Sequence, residues 1–122
     1  MLLSARYRFS AAMRLDGYAG PCGVDHGYEF MLDVAVSVPD SDVAGGAMPL
    51  DFVTLDSVVD KYVVSRLHRT HLSQTLPNPT LERLALWIRE QLVGHIAGLD
   101  HLYICAGDRY SVRLQLAPDI HD

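Results

Sequence analysis

Cys22, His26 and Tyr28 fall within one nine-residue stretch, CGVDHGYEF, residues 22–30. Along an extended strand, residues two apart share a side, so His26 and Tyr28 would face the same way. The stretch then has the form of half a metal site, with a phenol where a second imidazole is wanted. Zinc takes imidazole, thiolate or carboxylate and needs at least three protein ligands; a thioether or a protonated phenol replaces these poorly. A second group lies in RLHRTHL, where His68 and His71 are three apart and would meet on one helix face. Two imidazoles are too few for a metal, so capping or solvated roles are expected there. Arg69, between them, would bind a carboxylate or an enolate-like oxygen if it faced a pocket. His95, His101 and His121 have no motif around them.

These residues depend on the elements that carry them. From Leu3 to Leu15 the odd positions are apolar, with Ser4, Arg6, Arg8, Ser10 and Arg14 between them, which is the period of a half-buried strand. The alternation returns at Tyr28, Phe30, Leu32, Val34, Val36 and Val38, and the glycines and proline of DGYAGPCGVD mark a turn that makes the two strands antiparallel. PDSDVAGGAMP, residues 39–49, is rich in breakers and predicts an exposed loop. The period then becomes helical through Phe52, Leu55, Val58, Val59, Tyr62, Val63 and Leu67, with Asp51 as cap. A second helix runs from about Thr80 to Ile96, capped by Thr80 or by Asn78 with Pro79 at the first helical position; Trp87 is its core anchor and Gly98 its stop. LYICA and RYSVRLQL flank Gly107-Asp108, a pair suited to a two-residue hairpin turn.

The order strand, strand, helix, helix, strand, strand predicts an α+β layer, a four-stranded antiparallel sheet with both helices on one face. Such a sheet has two open edges, and closing several copies into a barrel removes them, so a homo-oligomer is expected. A chain of 122 residues with 49% hydrophobic content fits one domain spanning residues 1–122. The net charge of −5 comes from mixed signs without a basic stripe, which argues against a nucleic-acid partner. No apolar run reaches the ~20 residues of a bilayer span, and arginines at positions 6 and 8 interrupt any signal-peptide core. With Cys22 and Cys105 read as free thiols, a soluble cytoplasmic protein is expected.

FSAAMRL, CGVDHGYEF, PLDFVTLDSVV, RLHRTHL and NPTLERLALWI follow one another, between Tyr7 and Ala106, in the order and at the spacing of the 6-pyruvoyltetrahydropterin and 6-carboxytetrahydropterin synthase family, which the chain resembles. The resemblance implies the tunnelling fold, in which subunits close a barrel and active sites form between them. It also implies a site, which this chain has altered. The family holds zinc with three histidines, at positions that here are Met13, His26 and Tyr28. Its catalytic cysteine aligns with Cys22, but its Asp-His couple aligns with His68 and Arg69, and its pterin-clamping glutamate with Ala106. Thr80 and Glu82 match a family motif beside the pterin pocket.

The resemblance and these departures point to a repurposed enzyme. Its pocket lies between subunits, lined by Tyr7, Met13, Cys22, His26, Tyr28 and residues near His68 and Arg69. It would act without zinc or other cofactor on a non-pterin small molecule by cyclisation, isomerisation or elimination, with Tyr28, His26 or Cys22 moving a proton. The partners would be that substrate and further copies of the chain, from trimer to hexamer. The alternatives are a non-catalytic scaffold and a pterin synthase-like lyase with an atypical site. Each residue also has an ordinary structural role open to it: Cys22 a small loop residue, His26 a donor to a backbone carbonyl, Met13 a core filler, Tyr28 a buried phenol with a polar partner.

Overall fold

The computed structural model describes residues 1–14 and 26–116, the side chain of His26 excepted. In chain order the elements are strands β1 (Leu2–Met13) and β2 (His26–Ser37); helices α1 (Asp40–Ala44) and α2 (Phe52–Val59); a π-helical segment, Asp60–Val64; helix α3 (Ser65–Leu67); strand β3 (Thr70–His71); helix α4 (Leu81–Leu92); and strands β4 (Leu99–Ala106) and β5 (Tyr110–Gln115).

The period-two alternation forms the centre of the sheet. β1 and β2 pair antiparallel from Leu2↔Ser37 to Met13↔His26. Phe9, Ala11 and Met13 on β1, and Phe30, Leu32, Val34 and Val36 on β2, are buried. Phe9 and Phe30 are direct cross-strand partners whose rings stack with centroids 5.2 Å apart. The other face is polar, and Arg6 there donates from Nε to Asp33 at 2.8 Å and from Nη2 at 3.2 Å. β4 pairs with β2 and β5 with β4, both antiparallel, and a bulge at Asp100 shifts the β2–β4 register between Ala35 and Val36.

The sheet departs from the expected four antiparallel strands. It has five, in the order β3-β1-β2-β4-β5, and β3 runs parallel to β1 through Ala11↔Thr70 and Ala12↔His71. The cause lies at the end of the helix. Arg69 adopts a positive φ of 60°, which turns the chain along the outer edge of β1, and its N–H donates to the Ser10 carbonyl at 2.6 Å. Two residues of Thr-His carry no strand periodicity, so nothing local announced β3.

α2, the π segment and α3 form one run of helix. Asp51 caps it, accepting from the Val53 N–H at 2.9 Å. Its buried residues are Leu55, Val59, Val63 and Leu67, each four from the next. At 3.6 residues per turn, steps of four drift by about 40° each, so a regular helix would rotate this stripe off the sheet. The wider π turn absorbs the drift and keeps all four in the core. α4 needs no such adjustment: Thr80 caps it, accepting from the Arg83 N–H at 3.2 Å, and Leu84, Ala85, Ile88 and Leu92 are buried. Its helix ends before Ile96, which is buried outside it.

Other expectations need local correction. The loop at residues 39–49 contains the five-residue helix α1, which buries nothing. Trp87 is only half-buried and lies under the Arg66 guanidinium, 4.8 Å from the ring centroid, so it covers the core instead of anchoring it. Gly98, φ 74°, is an entry to β4: its carbonyl accepts from the Ser37 N–H, and a Cβ there would sit 2.7 Å from the Ser37 oxygen. Ala106 pairs with Tyr110, so the β4–β5 turn has three residues, with Gly107 at φ 61°. His68 and His71 do not share a helix face, because the helix ends at Leu67 and both adopt extended backbone. Among the described residues no helix is long and apolar enough to cross a membrane.

Candidate functional site

The end of the β1–β2 ladder opens into a cavity of about 540 Å³. Three rungs, Ser10↔Glu29, Ala11↔Tyr28 and Ala12↔Gly27, line one side, and Arg69 and Thr70 complete it from beyond β1. On this face Ala12 and Gly27 carry a methyl or nothing, which leaves the space open. An added Cβ at Gly27 would meet only the Ala11 carbonyl, at 3.9 Å.

Polar groups at this end are held firmly. The Ser10 hydroxyl donates to Glu29 Oε2 at 2.6 Å, and the Ser10 N–H donates to His68 Nδ1 at 3.1 Å. Because Nδ1 accepts, the imidazole proton of His68 sits on Nε2. His68 thus closes the β1 edge just above β3. The Thr70 hydroxyl donates to the Leu67 carbonyl at 2.7 Å, satisfying a terminal carbonyl of α3. His71 Nδ1 accepts from the Ser73 N–H at 3.3 Å and caps the turn that follows. Arg69 is exposed at the cavity and its guanidinium has no partner among the described residues. Its left-handed backbone is of the kind non-glycine residues hold at a cost of about 1–2 kcal/mol.

The structure brings some of the sequence-selected residues together and separates others. Arg69 and the backbone rung at Tyr28 border the cavity, with His68 behind Ser10; the Tyr28 ring itself lies on the core side of β2 with Phe30. Tyr28 is half-buried and its ring meets Phe30 edge-on at 5.9 Å. Met13, only 8% exposed, is the cross-strand partner of His26, two residues before Tyr28. Tyr7 lies farther along β1, where its hydroxyl donates to Asp56 Oδ1 of α2 at 2.7 Å; burial and that bond push its pKa up. Thr80 is occupied as the α4 cap and Glu82 sits in the first turn of that helix, and neither lines the cavity. Cys22 lies outside the described residues. Sequence reading missed Ser10 and Glu29, whose alternation marked them only as the polar side of their strands.

Among the described residues no three of His, Cys, Asp and Glu form a group able to hold a metal ion. The donor set at the three aligned positions, a buried thioether, one imidazole and a phenol, is also unsuited to zinc.

A second cavity, about 350 Å³, adjoins the first on the polar face of the sheet, lined by Arg8, Glu29, Met31, Cys105, Gly107 and Asp108. Glu29 belongs to both.

The arrangement resembles known proteins throughout. The sequence pattern of the family described as 6-pyruvoyl tetrahydropterin synthase matches residues 2–112. A dihydroneopterin monophosphate aldolase of Pyrococcus furiosus is 34% identical over 93 residues, covering 74% of this chain and 77% of that one. Among solved structures, the 6-pyruvoyl tetrahydropterin synthase of Caenorhabditis elegans superposes with a TM-score of 0.79 at 18% identity, covering 94% of each chain. An uncharacterised protein of Wolinella succinogenes gives 0.69 at 13% identity, covering 96% of this chain and 98% of that one. With a family match spanning residues 2–112 and a shared fold, the chain belongs to the 6-pyruvoyl tetrahydropterin synthase family.

Proposed function

We propose that this chain is an enzyme that works without the family's zinc, on a small molecule other than a pterin, in a cavity completed by further copies of itself. The observation that carries the reading is the exchange at the three metal positions: Met13 is buried opposite His26, and Tyr28 follows two residues on. A flexible thioether fills volume there and a phenol can donate a hydrogen bond or a proton. Loss of the pterin clamp supports the same reading. Ala106, at the clamp's aligned position, is 5% exposed and pairs with Phe30, and its methyl group cannot accept from a guanidine-like edge.

Self-association is supported by the edges of the sheet. β3 pairs only with Ala11 and Ala12, so among the described residues β1 has no strand partner on its outer side from Leu2 to Phe9, and β5 ends the sheet on the other side. Exposed ladders of that length are templates for pairing with another chain. In the assembled site, Tyr28 acts as proton donor or acid toward a substrate oxygen and Arg69 holds a developing negative charge, which suits cyclisation, isomerisation or elimination.

Native mass spectrometry tests the reading directly: a homo-oligomer between trimer and hexamer without stoichiometric zinc is expected, and one tightly held zinc per chain would overturn it. Tyr28→Phe, His26→Ala and Cys22→Ala should each impair turnover of the physiological substrate, and full activity in all three variants would remove the cavity from the chemistry. A second reading is favoured by the 34% identity to the dihydroneopterin monophosphate aldolase, that of a pterin-acting lyase with an atypical site. Incubation with dihydroneopterin monophosphate separates the two, since turnover supports only the second.

A further inference from the structure

The polar face of the sheet treats its two β1 arginines differently. Arg6 stands opposite Asp33 and is bonded to it through two nitrogens. Arg8, two residues on, stands opposite Met31, is exposed, and has no partner for its guanidinium among the described residues. It lines the 350 Å³ cavity, and Arg69 lines the 540 Å³ cavity. Glu29 is the wall between them, with one carboxylate oxygen already accepting from Ser10. Ser10 and Arg8 point to the same face about 7 Å apart along the strand, so the two cavities are within reach of one small molecule.

We infer that these adjoining cavities form one bipartite site for a doubly anionic small molecule, Arg69 and Arg8 each taking one anionic group and Glu29 accepting from a hydroxyl or amine between them. Guanidinium forks match carboxylate or phosphate oxygens in two-point contacts, which gives direction as well as attraction. A carboxylate between two cations would weaken the binding of a plain dianion, and it is useful only where the ligand carries a donor at its middle. The floor fits such a ligand: Ala12 and Gly27 leave room at one end, and Met31 offers an apolar contact at the other. The negative contribution of Asp108, which also lines the smaller cavity, restricts that end to a ligand placed against Arg8. The inference rests on the reading that the cavity beside Tyr28 holds a substrate, and it adds the class of that substrate.

Calorimetric titration of the full chain with L-tartrate and with succinate tests it without turnover. The two probes have the same carbon skeleton and two carboxylates, and only tartrate has central hydroxyls. Wild type should bind tartrate saturably and more tightly than succinate. Arg69→Gln and Arg8→Gln should each weaken tartrate at least about tenfold, with Arg69→Lys and Arg8→Lys recovering part of the loss, because one charged two-point contact contributes on the order of 1.5–3 kcal/mol. Glu29→Gln should narrow the preference for tartrate over succinate. Absence of saturable tartrate binding to wild type, or wild-type affinity in both glutamine variants with unchanged circular dichroism, overturns the inference. Because the readout is equilibrium binding, either result leaves the Tyr28 turnover experiment to decide the catalytic reading separately.

Discussion

The β1–β2 ladder changes character within a few rungs. At Phe9↔Phe30 two rings stack and both residues are almost fully buried, at 1% and 0% exposure. At Ala12↔Gly27, three residues on and therefore on the opposite, polar face, there is one methyl group, and that face borders a cavity. Backbone pairing is continuous through both, so the strand does not distinguish a core from a site. Side-chain volume and the face of the sheet it occupies do. Phe9 and Phe30 share one buried cluster with Leu55, Val59, Val63, Leu84 and Ile88, whereas the polar side of the end rungs meets Arg69 and Thr70, brought there by a strained turn. Buried apolar volume is concentrated in one region and open space in the other.

The comparison can be broken at either end. Phe30→Ala removes a fully buried ring from a stack and is expected to destabilise the fold by about 3–5 kcal/mol in urea unfolding. A loss under about 1 kcal/mol would mean that the middle rungs are no better packed than the end. Tyr28→Phe should lower kcat by about 100-fold, the usual scale for removing a proton donor, with little change in the unfolding midpoint. A variant that loses stability and activity together would make Tyr28 a packing residue.

Smaller effects sharpen the contrast. Arg69→Gly removes left-handed strain and gains chain entropy on unfolding, two opposing effects that leave a net stabilisation of about 0.5 kcal/mol. The same variant should lose anion binding, so a gain in melting temperature with a loss of affinity would mark the turn as strained for a function. Gly27→Ala, with room for its methyl group, should stay within about 0.5 kcal/mol of wild type. The last effect is a pH dependence. Folding raises the pKa of Tyr7 from its model-compound value of 10.0 through burial and its bond to Asp56, so the native state keeps a proton that the unfolded chain releases. Stability from this group is therefore full below pH 10 and declines as pH rises through that value. Urea midpoints between pH 8 and 11 should fall less steeply in Tyr7→Phe.

Much of the framework was legible because it is written in short-range patterns. Alternation located the inward residues of β1 and β2, and Asp51 and Thr80 act as caps because a side-chain oxygen two or three residues from an N–H needs no distant partner. The π segment was hidden in a spacing of four that also passes for an ordinary helical stripe. Tyr28 and Arg69 stand out through the positions they occupy in the family resemblance, and both border the cavity. Tyr7 was drawn toward the site by its neighbours in sequence, although its strand position turns it to Asp56. Glu29 was passed over because an alternating acidic residue on a strand is usually solvated, and only its two adjoining cavities set it apart.

By itself the sequence determined which faces of the strands and helices are apolar. That is a property of residue type and local period, and it requires no partner from elsewhere in the chain. Tertiary structure alone decided the fifth strand, the parallel edge and the composition of the cavity. These depend on contacts such as that between Ser10 and His68, 58 residues apart, which form only when the helix ends beside β1. A contact of that separation leaves no periodic trace, because it reflects where two surfaces meet and not how either segment folds locally.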